Sequence, residues 1–319
     1  MLKTENHFYQ RLFQCLKTAI KPAMKTAFWL LKIMIPVSLG MTLLQYFGLL
    51  SWIAQWIAPV FNLLGLPGEA ALAYLSGFFI CVYACISTMG VLTLTAKQVT
   101  IVAIMCLISH NMIVETMVQK KTGSSAWRMV VLRLIVAFFA GYVFNLLLPA
   151  DNTPIITGGQ KLAEAANLMQ VLQTWLSDSL RLTAKVLILV TALMFLQSIL
   201  NEFGINNMLS RWFAPLMVVM GLPRETSFLW IVANTLGLAY GSAVLIKETE
   251  EGQITSESAD LLNHHIAISH SLLEDTILFV AIGAFGLWIV FGRIALAMIA
   301  VWGRRLEIYM AKHSVKLSS

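Results

Sequence analysis

Two histidines and two carboxylates stand at matching places in a chain that is otherwise strongly apolar. Ile108-Ser109-His110-Asn111-Met112-Ile113-Val114-Glu115-Thr116-Met117 is answered, 160 residues on, by Ile268-Ser269-His270-Ser271-Leu272-Leu273-Glu274-Asp275-Thr276-Ile277. Ile, Ser, His and Thr repeat in register, and Glu115 falls on Asp275. On a continuous helix Asn111 and Glu115 share a face, as do Ser271 and Asp275, while His270 and Glu274 share the neighbouring one. A charged carboxylate at membrane depth costs about 2.5–3.5 kcal/mol unless it is paired or hydrated. Two readings follow. Glu115 and Asp275 line a polar cavity and bind a solute, a cation or a proton, or they hydrogen-bond across the repeat as structural glue. His110 and His270 are open to the same alternatives, as proton carriers or metal ligands on one side and packed hydrogen-bonding groups on the other. Whether a metal is involved is left open at this level.

The background is membrane-grade. Of 319 residues, 58% are hydrophobic and 12% charged, with mean hydropathy +0.77. Soluble domains carry about a quarter charged residues, so a polytopic membrane protein is expected. The long apolar runs lack the alternation of outer-membrane strands, which makes the class all-α. The net charge of +6 fits loops facing an anionic leaflet. With no basic stripe interleaved with aromatics, nucleic acid is not an expected partner. No signal peptide is read at the N-terminus. The four cysteines, Cys15, Cys81, Cys85 and Cys106, make no disulfide framework. Cys81 and Cys85, four apart, are packing residues or a soft-metal pair.

The elements that position the phrase repeat too. Residues 1–25 read as a basic amphipathic segment on the membrane surface. A span follows over 26–50, with Pro36 as a possible kink. A short Trp-rich piece, Ser51 to Asn62, is too short to cross a core of about 30 Å, and it ends in Gly65-Leu66-Pro67-Gly68-Glu69. A span over 70–95 is rich in small residues (Ser76, Gly77, Cys81, Cys85, Ser87, Thr88, Gly90), which allow close helix approach or mark a break. The first phrase lies in the span 97–119. Lys120, Lys121, Arg128 and Arg133 cluster round the next turn, and a fourth span covers 127–148. After a Pro- and Gly-bearing linker the order recurs. Trp212-Phe213-Ala214-Pro215 and Gly221-Leu222-Pro223-Arg224-Glu225 match the earlier motifs at an offset of 156. The rise to 160 at the phrase puts a four-residue insertion in the loop 247–260. Spans are expected over 181–203, 226–246 (with Asn234 and Gly237 inside), 261–283 and 285–301. Asn234 could offer a ligand both a donor and an acceptor, or simply bond its own helix. His264 and His265, near the loop, are expected to be hydrated.

An enzyme is not expected. His264-His265-x4-His270-x3-Glu274 has the composition of a metal-hydrolase cluster, but its spacing does not put three ligands on one helix face. No Walker loop, Rossmann glycine pattern or nucleophile elbow is present, and no cofactor is implied. Active transport would therefore draw on an ion gradient or a partner.

The span, short amphipathic helix, Gly-Leu-Pro-x-Glu turn, small-residue helix and Ser-His-x4-Glu/Asp-Thr phrase resemble the Gate, or nucleoside recognition, family. That family includes the spore maturation proteins A and B, parts of the concentrative nucleoside transporters and the membrane region of ferrous iron transport protein B. The resemblance implies two tandem Gate-like repeats, 26–149 and 179–303, flanked by the 1–25 segment, a linker at 150–178 and a basic tail at 304–319. It implies a permease or pore and does not choose between nucleosides and ferrous iron. The chain has no GTPase domain, unlike the iron transporters. About eight membrane segments are expected, with short amphipathic or re-entrant helices. Positive-inside bookkeeping around Lys120 and Lys121 favours inverted repeats. The expected function is a multi-pass inner-membrane transporter of a bacterium, with a midplane site between the repeats formed by Glu115, Asp275, His110, His270, Asn111, Ser271, Asn234 and Glu274. The alternative is a non-transporting scaffold or assembly partner of the spore-maturation type. The partners expected are the bilayer, a small solute or cation, and either a second copy of the chain or another membrane protein.

Overall fold

The apolar runs fold as helices, and the internal repeat reappears in where those helices start and stop. The computed structural model describes residues 2–150, 152–159, 167–235, 245–246, 248–249, 251 and 254–317. In chain order the elements are α1 (Leu2–Tyr46), α2 (Leu49–Leu63), α3 (Ala70–Phe79), α4 (Val82–Met89), β1 (Thr93–Thr95), α5 (Ala96–Ser109), α6 (Met112–Lys121), α7 (Ala126–Leu147), β2 (Pro154–Thr157), α8 (Leu168–Glu202), α9 (Ile205–Val219), α10 (Ser227–Thr235), α11 (Ser256–Ser269), α12 (Glu274–Val280) and α13 (Gly286–Leu317). Helices α2 and α9 are both 15 residues long and start 156 apart. Helices α5 and α11 are both 14 long and start 160 apart, as do α7 and α13. Left-handed glycines recur at the same offsets: Gly48 with Gly204, Gly65 with Gly221, Gly123 with Gly283. The insertion thus falls between Gly221 and Ser256. Part of that stretch, Gly237 included, lies outside the described residues.

The chain divides into two compact units, each drawing on both halves of the sequence. The first holds Met1–Val99 and Ala150–Ile205. In it α1 packs along α8. Cys15, Ala19, Ala23 and Ala27, four apart and buried, give α1 a face of small residues that lets a helix approach closely. Ala23, Ala27 and Met34 meet Val186 and Val190 there. This packing accounts for one departure from expectation. The basic segment 1–25 is not separate, because α1 runs unbroken through Pro22 and Pro36. The span expected over 70–95 is likewise divided, by an extended Cys81 between α3 and α4. A small β-ribbon joins the helices, β1 pairing antiparallel with β2 from the linker. The Gly158-Gly159 pair is a close-packing device: a Cβ on Gly158 would sit 2.0 Å from the Gly90 carbonyl oxygen.

The second unit holds Thr100–Pro149 and Asn206–Ser319. Its core runs from Met217, Met220 and Leu222 through Leu229, Trp230 and Ile231 to Leu261, Leu262, Ile266 and Val301. Both copies of the phrase are in this unit.

Four helical stretches among the described residues are long and apolar enough to cross a membrane: Ala96–Lys121, Ala126–Leu147, Leu168–Leu200 and Gly286–His313. Met34–Tyr46 and Ala70–Phe79 are apolar but shorter. Large apolar side chains stay exposed along α7 (Ile135, Phe139, Leu146) and α13 (Phe291, Ile299), which suits helices solvated by lipid. The protein is a helical, polytopic membrane protein.

Candidate functional site

Each copy of the phrase breaks its helix at the same point. α5 ends at Ser109, Asn111 turns left-handed (φ 46°), and α6 starts at Met112. α11 ends at Ser269, Ser271 turns left-handed (φ 52°), and α12 starts at Glu274. A left-handed residue without a glycine's freedom costs about 1–3 kcal/mol unless its surroundings hold it. At the second break they do: the Ser271 amide donates to the Ala233 carbonyl (3.0 Å) and the Leu273 amide to the Asn234 carbonyl (3.2 Å).

A helix that stops inside the protein leaves carbonyls to satisfy, and two arginines meet them. Arg133, on α7, donates from Nε to the Ile108 carbonyl (2.7 Å) and from Nη2 to that of His110 (2.6 Å). Arg293, on α13, donates from Nε to Ile268 (2.8 Å) and from Nη2 to His270 (2.6 Å) and Leu107 (3.2 Å). Both side chains are wholly buried. They are 160 residues apart, so the arginine cap belongs to the repeat. A guanidinium at a helix C-terminus also complements the negative end of the dipole. In the sequence Arg133 groups with the basic turn at Lys120, Lys121 and Arg128. It is no loop charge, because its fork is used by backbone carbonyls in the interior. Arg293 carried no local signal, and only its offset of 160 from Arg133 marks it.

The breaks bring four of the expected residues together. Glu115 Oε1 lies 3.1 Å from His110 Nε2 and 3.2 Å from His270 Nε2. The two Nε2 atoms are 3.4 Å apart. Glu115 Oε2 lies 2.6 Å from Arg133 Nη2, an ion contact whose angles fall short of a hydrogen bond. Asp275 Oδ2 is 3.8 Å from His110 Nε2 and accepts no hydrogen bond. All four are buried.

The other expected residues play different parts. Asn111 and Ser271 form the backbone breaks themselves. Asn234 spends its amide donor on the Trp230 carbonyl (2.8 Å), and its buried Oδ1 has no partner. Glu274 is half-buried in the first turn of α12. His264 and His265, expected to be hydrated, are instead buried. His264 Nδ1 lies 2.7 Å from the Asp260 carbonyl, and His265 Nδ1 accepts from Trp230 Nε1 at 3.1 Å. Both lie in a helix whose residues 258–269 are all buried, with partners on α10, on α13 and in the turn after α6. Cys81 precedes α4 while Cys85 sits inside it against Met89, so they share no helix face. Among the described residues the one group able to converge on a metal ion is His110, Glu115 and His270.

The turn after α6 is tied down separately. Ser124 Oγ donates to Asp260 Oδ1 (2.7 Å) and Arg304 Nε to Asp260 Oδ2 (2.7 Å), while Arg128 pairs with Glu307. Burial opposes ionisation of Asp260, but these hydrogen bonds hold its carboxyl below its usual range.

Comparison with known proteins agrees with the repeated motifs. The nucleoside-recognition family model, Gate, matches residues 27–124. The uncharacterized membrane protein YvoD of Bacillus subtilis (strain 168) is 30% identical over 261 residues, 81% of this chain and 84% of that protein. The chain is a member of the Gate, or nucleoside recognition, family of membrane proteins.

Proposed function

We propose that the protein is a permease of the bacterial inner membrane that moves a small polar solute or a cation through the site at the two helix breaks. The observation that carries this reading is the convergence of His110, His270, Glu115 and Asp275, all buried, where two apolar helices are interrupted at equivalent points. Ionisable groups at membrane depth are costly and are kept where they bind or relay something. Broken helices at corresponding points of two repeats are how transporters make such a site. The family's description points to nucleosides. The donor set here, two imidazoles and two carboxylates, suits a cation better. The repeats are read as inverted on the positive-inside ground of Lys120 and Lys121.

The test is uptake by proteoliposomes, screened with nucleosides and divalent cations. Transport of one solute class should be lost in the Glu115→Gln, Asp275→Asn double variant, assayed below its melting temperature in protein that stays folded and monodisperse in detergent. Undiminished transport in that variant would remove the assignment.

A further inference from the structure

We propose that His110, His270 and Glu115 form a three-ligand site for a divalent transition-metal cation of the zinc class. This rests on the permease reading in one respect: it makes such a cation the solute carried.

Shape comes first. Zinc binds His nitrogen at about 2.0–2.1 Å and carboxylate oxygen at about 2.0–2.2 Å, usually as a tetrahedron, which sets ligand-to-ligand edges of about 3.3–3.4 Å. The three atoms here form a triangle with edges of 3.1, 3.2 and 3.4 Å. That is one face of such a tetrahedron, needing only a slight spread. The fourth corner is open or falls to Asp275, whose Oδ2 lies 3.8 Å from His110 Nε2 and accepts no hydrogen bond. Three protein ligands leave the fourth position of the ion to water or a further donor.

Ring orientation comes second. His270 Nδ1 lies 2.7 Å from the Ile266 carbonyl oxygen, which can only accept, so Nδ1 carries a hydrogen and is not the ligand atom. Nε2 is the atom turned to Glu115 Oε1 and His110 Nε2, at 3.2 and 3.4 Å. A cation among the three atoms replaces their mutual contacts with three bonds of its own.

Support of the ligands comes third. Metal-binding histidines commonly donate their second ring N–H to a carbonyl or carboxylate, as His270 does to Ile266. Glu115 is held from behind by Arg133, itself fixed on the Ile108 and His110 carbonyls. The charge of Arg133 on the far oxygen weakens Glu115 as a ligand, which favours a cargo that is released over an ion that is kept.

The experiment uses the full chain, detergent-purified, freed of any affinity tag and stripped with a chelator. Cobalt(II) is titrated in while the visible d–d absorption of a tetrahedral centre is followed, and zinc(II) is then added as competitor. One cobalt per chain, displaced by zinc, is expected. His110→Gln and His270→Gln should each weaken binding at least about tenfold, and the exposed-site control His313→Ala should leave it unchanged. Each variant is compared at matched melting temperature. Binding below one per chain in folded wild-type protein, or equal binding in both site variants, overturns the proposal. Glu115-dependent nucleoside uptake by protein that binds no metal also overturns it and leaves the permease reading standing. Stoichiometric, histidine-dependent binding without uptake of the ion supports the metal site and removes the ion as the solute carried.

Discussion

The two helix breaks share a backbone and differ in what their acids reach. At the first, Arg133 caps Ile108 and His110; at the second, Arg293 caps Ile268 and His270, through the same atoms and the same sequence separations. Both have a left-handed residue directly after the histidine. Yet Glu115 meets an arginine and both histidines, while Asp275, one methylene shorter, comes no nearer to His110 than 3.8 Å. A duplicated scaffold therefore holds an asymmetric site. One acid is engaged, and the other is left with oxygen to spare. The repeat preserves what builds the breaks, and the Glu-to-Asp difference goes with the difference in what the two acids reach.

The comparison is tested hardest at the arginines. Arg133→Met and Arg293→Met both leave buried helix-end carbonyls without donors, at about 1–3 kcal/mol for each group stranded. Arg133→Met also strands Glu115, and breaking a buried ion pair costs about 3–5 kcal/mol. Both variants should lose stability heavily, Arg133→Met the more. Melting temperatures in detergent measure this, and a smaller loss in Arg133→Met than in Arg293→Met would mean that Glu115 gains little from Arg133, since Arg293 caps one carbonyl more. The acids come next. Glu115→Gln should cost about 3–5 kcal/mol on the same ground. Asp275→Asn should cost less, since Oδ2 gives up no hydrogen bond and only a longer-range attraction to Arg293 is lost. Similar losses in the two variants would erase the asymmetry.

How much of this was legible beforehand depends on the kind of partner each residue has. The repeat showed because Pro59 with Pro215 and His110 with His270 keep their residue types at fixed offsets. The convergence of His110 with Glu115 did not show. Five residues apart on a continuous helix they lie far round from each other, and only the turn at Asn111 brings them together. Face-sharing logic therefore paired Asn111 with Glu115 and Ser271 with Asp275, where the structure uses Asn111 and Ser271 as backbone. The arginine caps were hidden for another reason. Their partners are carbonyls, which every residue carries, so no complementary residue type advertises the pairing. Arg133 was lost among its basic neighbours, and Arg293 stood in the middle of an apolar helix. His264 and His265 were misplaced because nearness to a polar loop in sequence says little about depth in a packed helix.

The smallest expected effect lies in the turning residues. Asn111 and Ser271 hold nearly the same left-handed φ, 46° and 52°, but asparagine tolerates that region far better than serine. Glycine relieves the strain at either site and costs conformational freedom in the unfolded chain, about 0.4–1 kcal/mol. At Ser271 the relief should match or exceed the cost, so Ser271→Gly should leave the melting temperature unchanged or raise it. At Asn111 there is little to relieve, so Asn111→Gly should lower it by an amount near that entropy term. The Ser271 side chain is not among the atoms of the metal triangle, so cobalt binding should be the same in Ser271→Gly as in the parent. A fall in both stability and binding in Ser271→Gly would mean that its hydroxyl holds the second break. The two breaks would then differ in their backbone supports as well as in their acids.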